Sequence, residues 1–228
     1  QAALQYSLSQ HDTNQFQQSF SAFYLLLLPL GHLELADKYL NTAIEIQNIF
    51  NEEGVLYQAE IQRIESLTLQ HQNALSRDHL KRLMTELLSD TEKQEVQALF
   101  AYNSHFLKDN INAYTQAKPI FEDSNSNIKT RMYAGLAFVL SAEQLERTEE
   151  AKSTLQILEN IVTTNNNTLY WAYLDTLSRL PLAWINPDEL QNKTAAFELR
   201  IEHIRATTKP NQEFLQALDN YIEKIMPN

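Results

Sequence analysis

Apolar residues recur at three- and four-residue intervals along nearly the whole chain, and strand-like alternation is scarce. Phe16, Phe20, Phe23, Tyr24 and Leu27 share the spacing of one helix face. Pro29 and Gly31 interrupt it, and Leu33, Ala36, Leu40, Ala43, Ile44 and Phe50 form a second stripe. The pattern predicts a third helix over about 55–72, a fourth beginning after Ser76 with Asp78 in its first turn, and a fifth opened by Thr91 and Glu92. Further helices are expected over 111–121, 128–145, 148–162 and 169–180, the last stopped at Pro181. Asn186 before Pro187 is a cap and first-position pair for a long tenth helix. Lys209, Pro210 and Asn211 then separate a last helix carrying Phe214, Leu218, Tyr221 and Ile225.

Short polar connections between such helices suit antiparallel helix pairs. The expected architecture is therefore all-α: one domain over 1–228, an α-α superhelix of about five antiparallel pairs with a C-terminal capping helix. A compact helical bundle is the other arrangement this pattern permits. Composition narrows the classes further. Three glycines in 228 residues, against about 7% on average, are too few for a Rossmann fold, a phosphate-binding loop protein or a β-sandwich. A formal charge of −11 argues against nucleic acid as the main partner of this segment. The longest apolar run, near 24–30, is far shorter than the ~20 residues a membrane span needs. The absence of cysteine removes disulfide and thiolate chemistry, and fits the cytoplasm, which is the expectation, or a bacterial periplasm.

Chemistry-bearing motifs are missing. The histidines His11, His32, His71, His79, His105 and His203 form no His-Glu-x-x-His pair, and none lies three residues after a glutamate. There is no Gly-x-Ser-x-Gly, and Gly31, Gly54 and Gly135 are isolated. The carboxylate pairs Glu52-Glu53 and Glu149-Glu150 sit at helix ends, where solvation explains them. No catalytic residue, metal ligand or cofactor is expected, and the chain reads as non-enzymatic. Residues 1–60 hold one lysine against seven acidic side chains, whereas Lys193, Arg200, Arg205 and Lys209 make the one locally basic stretch.

One spacing repeats. Gly31 is followed by Ala36, Leu40 and Ala43 at offsets of five, nine and twelve residues. The same frame fits Lys108 with Ala113, Ala117 and Ile120, and Glu146 with Ala151, Leu155 and Leu158. Ala36, Ala113 and Ala151 are 77 and 38 residues apart, which leaves room for one unit around Leu80 and Met84. This resembles the second half of a tetratricopeptide repeat, with a period of about 38 in place of about 34. The resemblance implies a degenerate helical-repeat domain of the kind that follows a DNA-binding or catalytic domain in bacterial regulators. Ala2, Ala3, Leu4 and Leu8, with no partner before them, lead to the expectation that the chain is a piece of a longer protein.

In tetratricopeptide arrays the first helix of each pair lines a concave groove. Carried over, that register selects Gln62, Glu65, Tyr102, His105, Tyr133, Asp175 and Arg179 as groove residues. The alternative for the tyrosines is packing between neighbouring helices. The implied partner is a protein or peptide segment or a small effector, with a homodimer possible and no direct nucleic-acid contact. An oligomerisation scaffold without a groove is the alternative function.

Overall fold

A computed structural model describes residues 40–41, 53–86, 88–162, 167–181 and 184–207; the expected first helix, most of the second, and the capping helix with Phe214, Leu218, Tyr221 and Ile225 lie outside the described residues. Among the described residues there are eight helices and no strand. They are α1 (Glu53–Leu69), α2 (Asn73–Leu83), α3 (Asp90–Phe106), α4 (Asn110–Glu122), α5 (Ile128–Gln144), α6 (Thr148–Val162), α7 (Asn167–Arg179) and α8 (Pro187–Thr207). Ile64–Ala195 form one compact unit; Gln1–Arg63 and Ala196–Asn228 form the other. In the latter, Leu40, Tyr57, Ile61, Phe197 and Ile201 are buried, and the Arg63 guanidinium donates to the Asn41 amide oxygen.

The helix boundaries repeat. The helices α1, α3 and α5 are each 17 residues long and begin at residues 53, 90 and 128. Their partners α2, α4 and α6 begin at 73, 110 and 148, so both series step by 37 and then 38. One turn sets this period. His71, Lys108 and Glu146 adopt the left-handed conformation, with φ of 59°, 64° and 60°. At each, the left-handed residue's N–H donates three residues back (2.9–3.0 Å) and the next N–H donates five back (2.7–2.9 Å), closing the helix by the Schellman pattern. Lys108 and Glu146 are the turn positions of the repeated sequence frame, and His71 marks the unit that the frame left unplaced.

A left-handed non-glycine residue costs about 1–2 kcal/mol in its backbone, part of which glycine recovers. Lys108→Gly and Glu146→Gly, both at exposed side chains, are therefore expected to raise the unfolding free energy by about 0.5–1 kcal/mol each. Urea melts at equal slope check this; a loss of stability in both would contradict the turn assignment.

Five residues beyond each turn stands a small side chain, Ser76, Ala113 or Ala151, fully buried in all three cases. Small atoms there let the second helix of each pair lie close to its neighbours. Ser76 is thus inside α2 and part of the core, not ahead of the helix as the sequence suggested. Its hydroxyl lies 2.9 Å from Thr68 Oγ1, which also accepts from Asn103 Nδ2 at 3.0 Å, tying α1, α2 and α3 together. The start of α3 also differs from expectation. Ser89, not Thr91, is the cap: its Oγ accepts from Glu92 N–H while Glu92 accepts from Ser89 N–H, a capping box.

Within the 64–195 unit each helix from α2 to α6 packs on the next, α7 packs on α6, and α3, α5 and α7 also pack on one another in order. The helix α5 is enclosed by α3, α4, α6 and α7, which explains why its residues from Met132 to Ala142 are buried all round. Gly135 at its middle permits this: a Cβ there would lie 2.5 Å from Leu158 Cδ2 and 2.9 Å from Phe121 Cδ2.

Candidate functional site

The odd-numbered helices carry a row of polar and aromatic side chains across the 64–195 unit. Counting back from the left-handed turns, Glu65 and Tyr102 are both six residues before, and Glu95 and Tyr133 both thirteen before. Those positions are seven apart and share a helix face. The repeat therefore juxtaposes Glu65 with Glu95, and Tyr102 with Tyr133, whose ring centroids are 5.7 Å apart and near edge-on.

The first pair sets two carboxylates against each other in a nearly dry place: Glu65 is 1% exposed and Glu95 7%. Lys129, reaching from the start of α5, resolves the conflict. Its ammonium lies 3.3 Å from Glu65 and 2.5 Å from Glu95. Burial pulls the Lys129 ammonium toward neutrality, but the two carboxylates outweigh it and hold it above the usual lysine range. Glu65 moves the other way. Burial raises its carboxyl above the ordinary range, and the Glu95 charge adds to that, with Lys129 opposing. The Tyr133 hydroxyl, 1% exposed as a residue, faces the same carboxylate; burial and the Glu65 charge push it well above the usual phenol range. Neither the Tyr133 hydroxyl nor either Glu65 oxygen makes a well-directed hydrogen bond.

The row continues through Tyr102 to α7. Tyr102 is 3% exposed, and its hydroxyl is raised by burial and by the Asp175 charge, with Thr176 beside it. Arg179 donates to both Asp175 oxygens, Nε to Oδ2 at 3.0 Å and Nη2 to Oδ1 at 3.1 Å. Its guanidinium stands over the Phe106 ring at 4.8 Å and within 3.4 Å of His71 Nδ1. This end of the row is open to solvent, Arg179 and His71 being exposed. His105 is half-buried against Phe106, its pKa lowered by burial and by Arg179, with Asn110 opposing.

Of the seven groove residues selected from sequence, the structure thus brings Glu65, Tyr133, Tyr102, Asp175 and Arg179 into one continuous row, with His105 at its edge. Gln62, buried, belongs to the other unit. Tyr102 and Tyr133 are packed between helices, and the solvent-facing members are Arg179, Asp175 and the part-exposed Lys129. Sequence reasoning missed Glu95, Lys129, Thr176, Phe106 and His71. The repeat register was the available signal for Glu95, because it stands where Tyr133 stands one unit later.

A second feature lies between α6, α7 and the start of α8: a cavity of about 240 Å³ lined by residues that include Tyr173, Leu177, Trp184 and Lys193. Elsewhere Glu150 is more than a solvated helix-start carboxylate. It accepts from Tyr114 Oη at 2.8 Å, Lys118 Nζ at 2.9 Å and Arg147 Nη1 at 3.2 Å, and hydrogen bonds led by those from Lys118 and Tyr114 hold its pKa down at about 2. With its lone pairs so engaged, this group ties α4 to α6.

No family model, curated protein or solved structure matches the chain. Among the described residues no three His, Asp or Glu side chains are grouped to hold a metal ion, and no helix is long and apolar enough to cross a membrane.

Proposed function

We propose that the chain is a non-enzymatic helical-repeat interaction module, in which the odd-helix row receives a protein or peptide segment or a small effector. The observation that carries this reading is the alignment of charged and aromatic groups from α1, α3 and α5 in register with the 37–38-residue repeat, extended by Asp175 and Arg179 of α7. Side chains in a packed core need no such polar row. In this reading the successive helix pairs form a superhelix, the buried tyrosines and Glu65 set the floor, and Lys129, Asp175, Arg179 and His71 meet the partner. Binding energy comes from a few anchors, with the charged groups fixing register. The tetratricopeptide resemblance supports a sensor role within a bacterial transcription or signalling protein.

Thermal unfolding against pooled peptides and metabolites tests the reading. A ligand of the folded state at 100 times its dissociation constant adds about 2.7 kcal/mol. The expected result is a hit whose shift is abolished by Arg179→Ala, a change at the exposed end of the row. No shift, together with a midpoint that rises with protein concentration, would instead favour an oligomerising scaffold.

A further inference from the structure

The cavity beside α8 goes beyond that reading. Its floor is apolar, built from Leu155, Leu177 and the ring of Tyr173, which is nearly fully buried. One wall is the Trp184 indole, and the Lys152 ammonium stands 5.7 Å from the centre of that ring. At the other end Lys193 is gripped by Glu159, and by Glu189 at 2.9 Å. One ammonium between two carboxylates leaves that end with a net negative charge. The cavity is thus dipolar: cationic at Lys152, anionic at Glu159 and Glu189, with an aromatic wall between.

The separation of the two ends constrains an occupant. Lys152 and Glu159 are both on α6, seven residues apart, which is about 10.5 Å along the helix axis. Gln156 lies between them on the cavity side and offers an amide. A free α-amino acid carries its charges on groups attached to one carbon, too close together to meet both ends. Two residues of extended chain span about 7 Å, which leaves about 3.5 Å of that rise in total for the flexible Lys152 and Glu159 side chains to accommodate. The volume, about 240 Å³, is just under the roughly 300–1,000 Å³ of pockets for drug-sized molecules.

We propose that this cavity binds a dipeptide-sized zwitterion with an apolar or aromatic side chain, its carboxylate toward Lys152, its ammonium toward Glu159 and Glu189, and its side chain against Trp184.

Isothermal titration of the full chain with alanyl-phenylalanine, its N-acetyl form and its C-terminal amide tests this. The expected result is saturable binding of the free dipeptide, weakened at least tenfold by blocking either terminus. Lys152→Met is expected to weaken the free dipeptide by at least tenfold while leaving the affinity for the amide unchanged. Glu189→Gln does the reverse, lowering affinity for the free dipeptide and the amide but not for the acetylated form. Trp184→Ala reduces all three, and the unfolding midpoint of each variant is measured alongside. No heat from the free dipeptide, or equal binding of the blocked forms, overturns the proposal. Loss of binding to the odd-helix row with the dipeptide response intact would sink only the reading of the previous section.

Discussion

Replacing Lys129 with methionine is expected to destabilise the protein by about 3–5 kcal/mol at pH 7, because it strands two carboxylates in a buried place with no counter-charge. Lys129 is ion-paired with Glu65 and Glu95 together in a buried place, so the loss exceeds that of an exposed ion pair, about 0–1 kcal/mol. The effect carries a pH signature. Glu65 holds its proton more tightly folded than unfolded, since burial raises its pKa. Stability from such a group is complete below the ordinary carboxylate value of 4.5 and is lost as pH rises through the raised folded-state value. Lys129 limits that loss in the native protein. Without it the folded-state value climbs further and the window of loss widens upward. Urea melts of Lys129→Met at pH 5 and pH 7 should show the smaller deficit at pH 5, and Glu65→Gln added to it should recover at least half the deficit at pH 7. A deficit that is the same at both pH values would contradict this account of the pair.

The second large effect is expected at Gly135. An alanine Cβ there would sit 2.5 Å from Leu158 and 2.9–3.0 Å from the Phe121 ring, so the Leu158 side chain, the Phe121 ring or the helices that carry them must shift. Overpacking of this kind costs about 1–3 kcal/mol, against roughly 1 kcal/mol gained from better helix propensity. Gly135→Ala should therefore lose up to about 2 kcal/mol net. A double-mutant cycle with Leu158→Ala separates sterics from propensity. Removing the Leu158 side chain relieves the shortest contact, so the two changes together should cost at least 1 kcal/mol less than their sum. Strict additivity would mean that the close approach is not what Gly135 provides.

The particular residues show where sequence reading reaches and where it stops. The helical periodicity is legible because a buried stripe needs only local spacing; 148–162 was placed to the residue, and the Asn186-Pro187 start is real, with Asn186 Oδ1 accepting from Asp188 N–H at 3.0 Å. The turn frame at Lys108 and Glu146 is legible because the small residues five positions on are a packing requirement. His71 escaped because serine, not alanine, fills the equivalent position, and a serine four residues into a helix reads like a cap. The cap of α3 was misplaced by two residues since Ser89 and Thr91 both precede acidic side chains, and only the reciprocal bond with Glu92 decides between them.

For the candidate site, helix faces were legible and cross-helix partners were not. Glu65, Tyr102 and Tyr133 were picked from a face argument, yet Lys129, which makes the buried carboxylates tolerable, is four residues from Tyr133 on a different turn. Periodicity says nothing about how far a lysine reaches toward a neighbouring helix. The cavity beside α8 was invisible for a similar reason: Trp184 enters it from the short segment between α7 and α8, where no periodic pattern exists.

A recognition face on the odd-helix row would leave a footprint in the backbone amides of α3, α5 and α7. Hydrogen–deuterium exchange on the chain, free and saturated with the partner found by thermal screening, measures that footprint. New protection is expected to concentrate in α3, α5 and α7 around Glu95, Lys129, Asp175 and Arg179, with α2, α4 and α6 little changed. Protection confined to α2, α4 and α6 would contradict it.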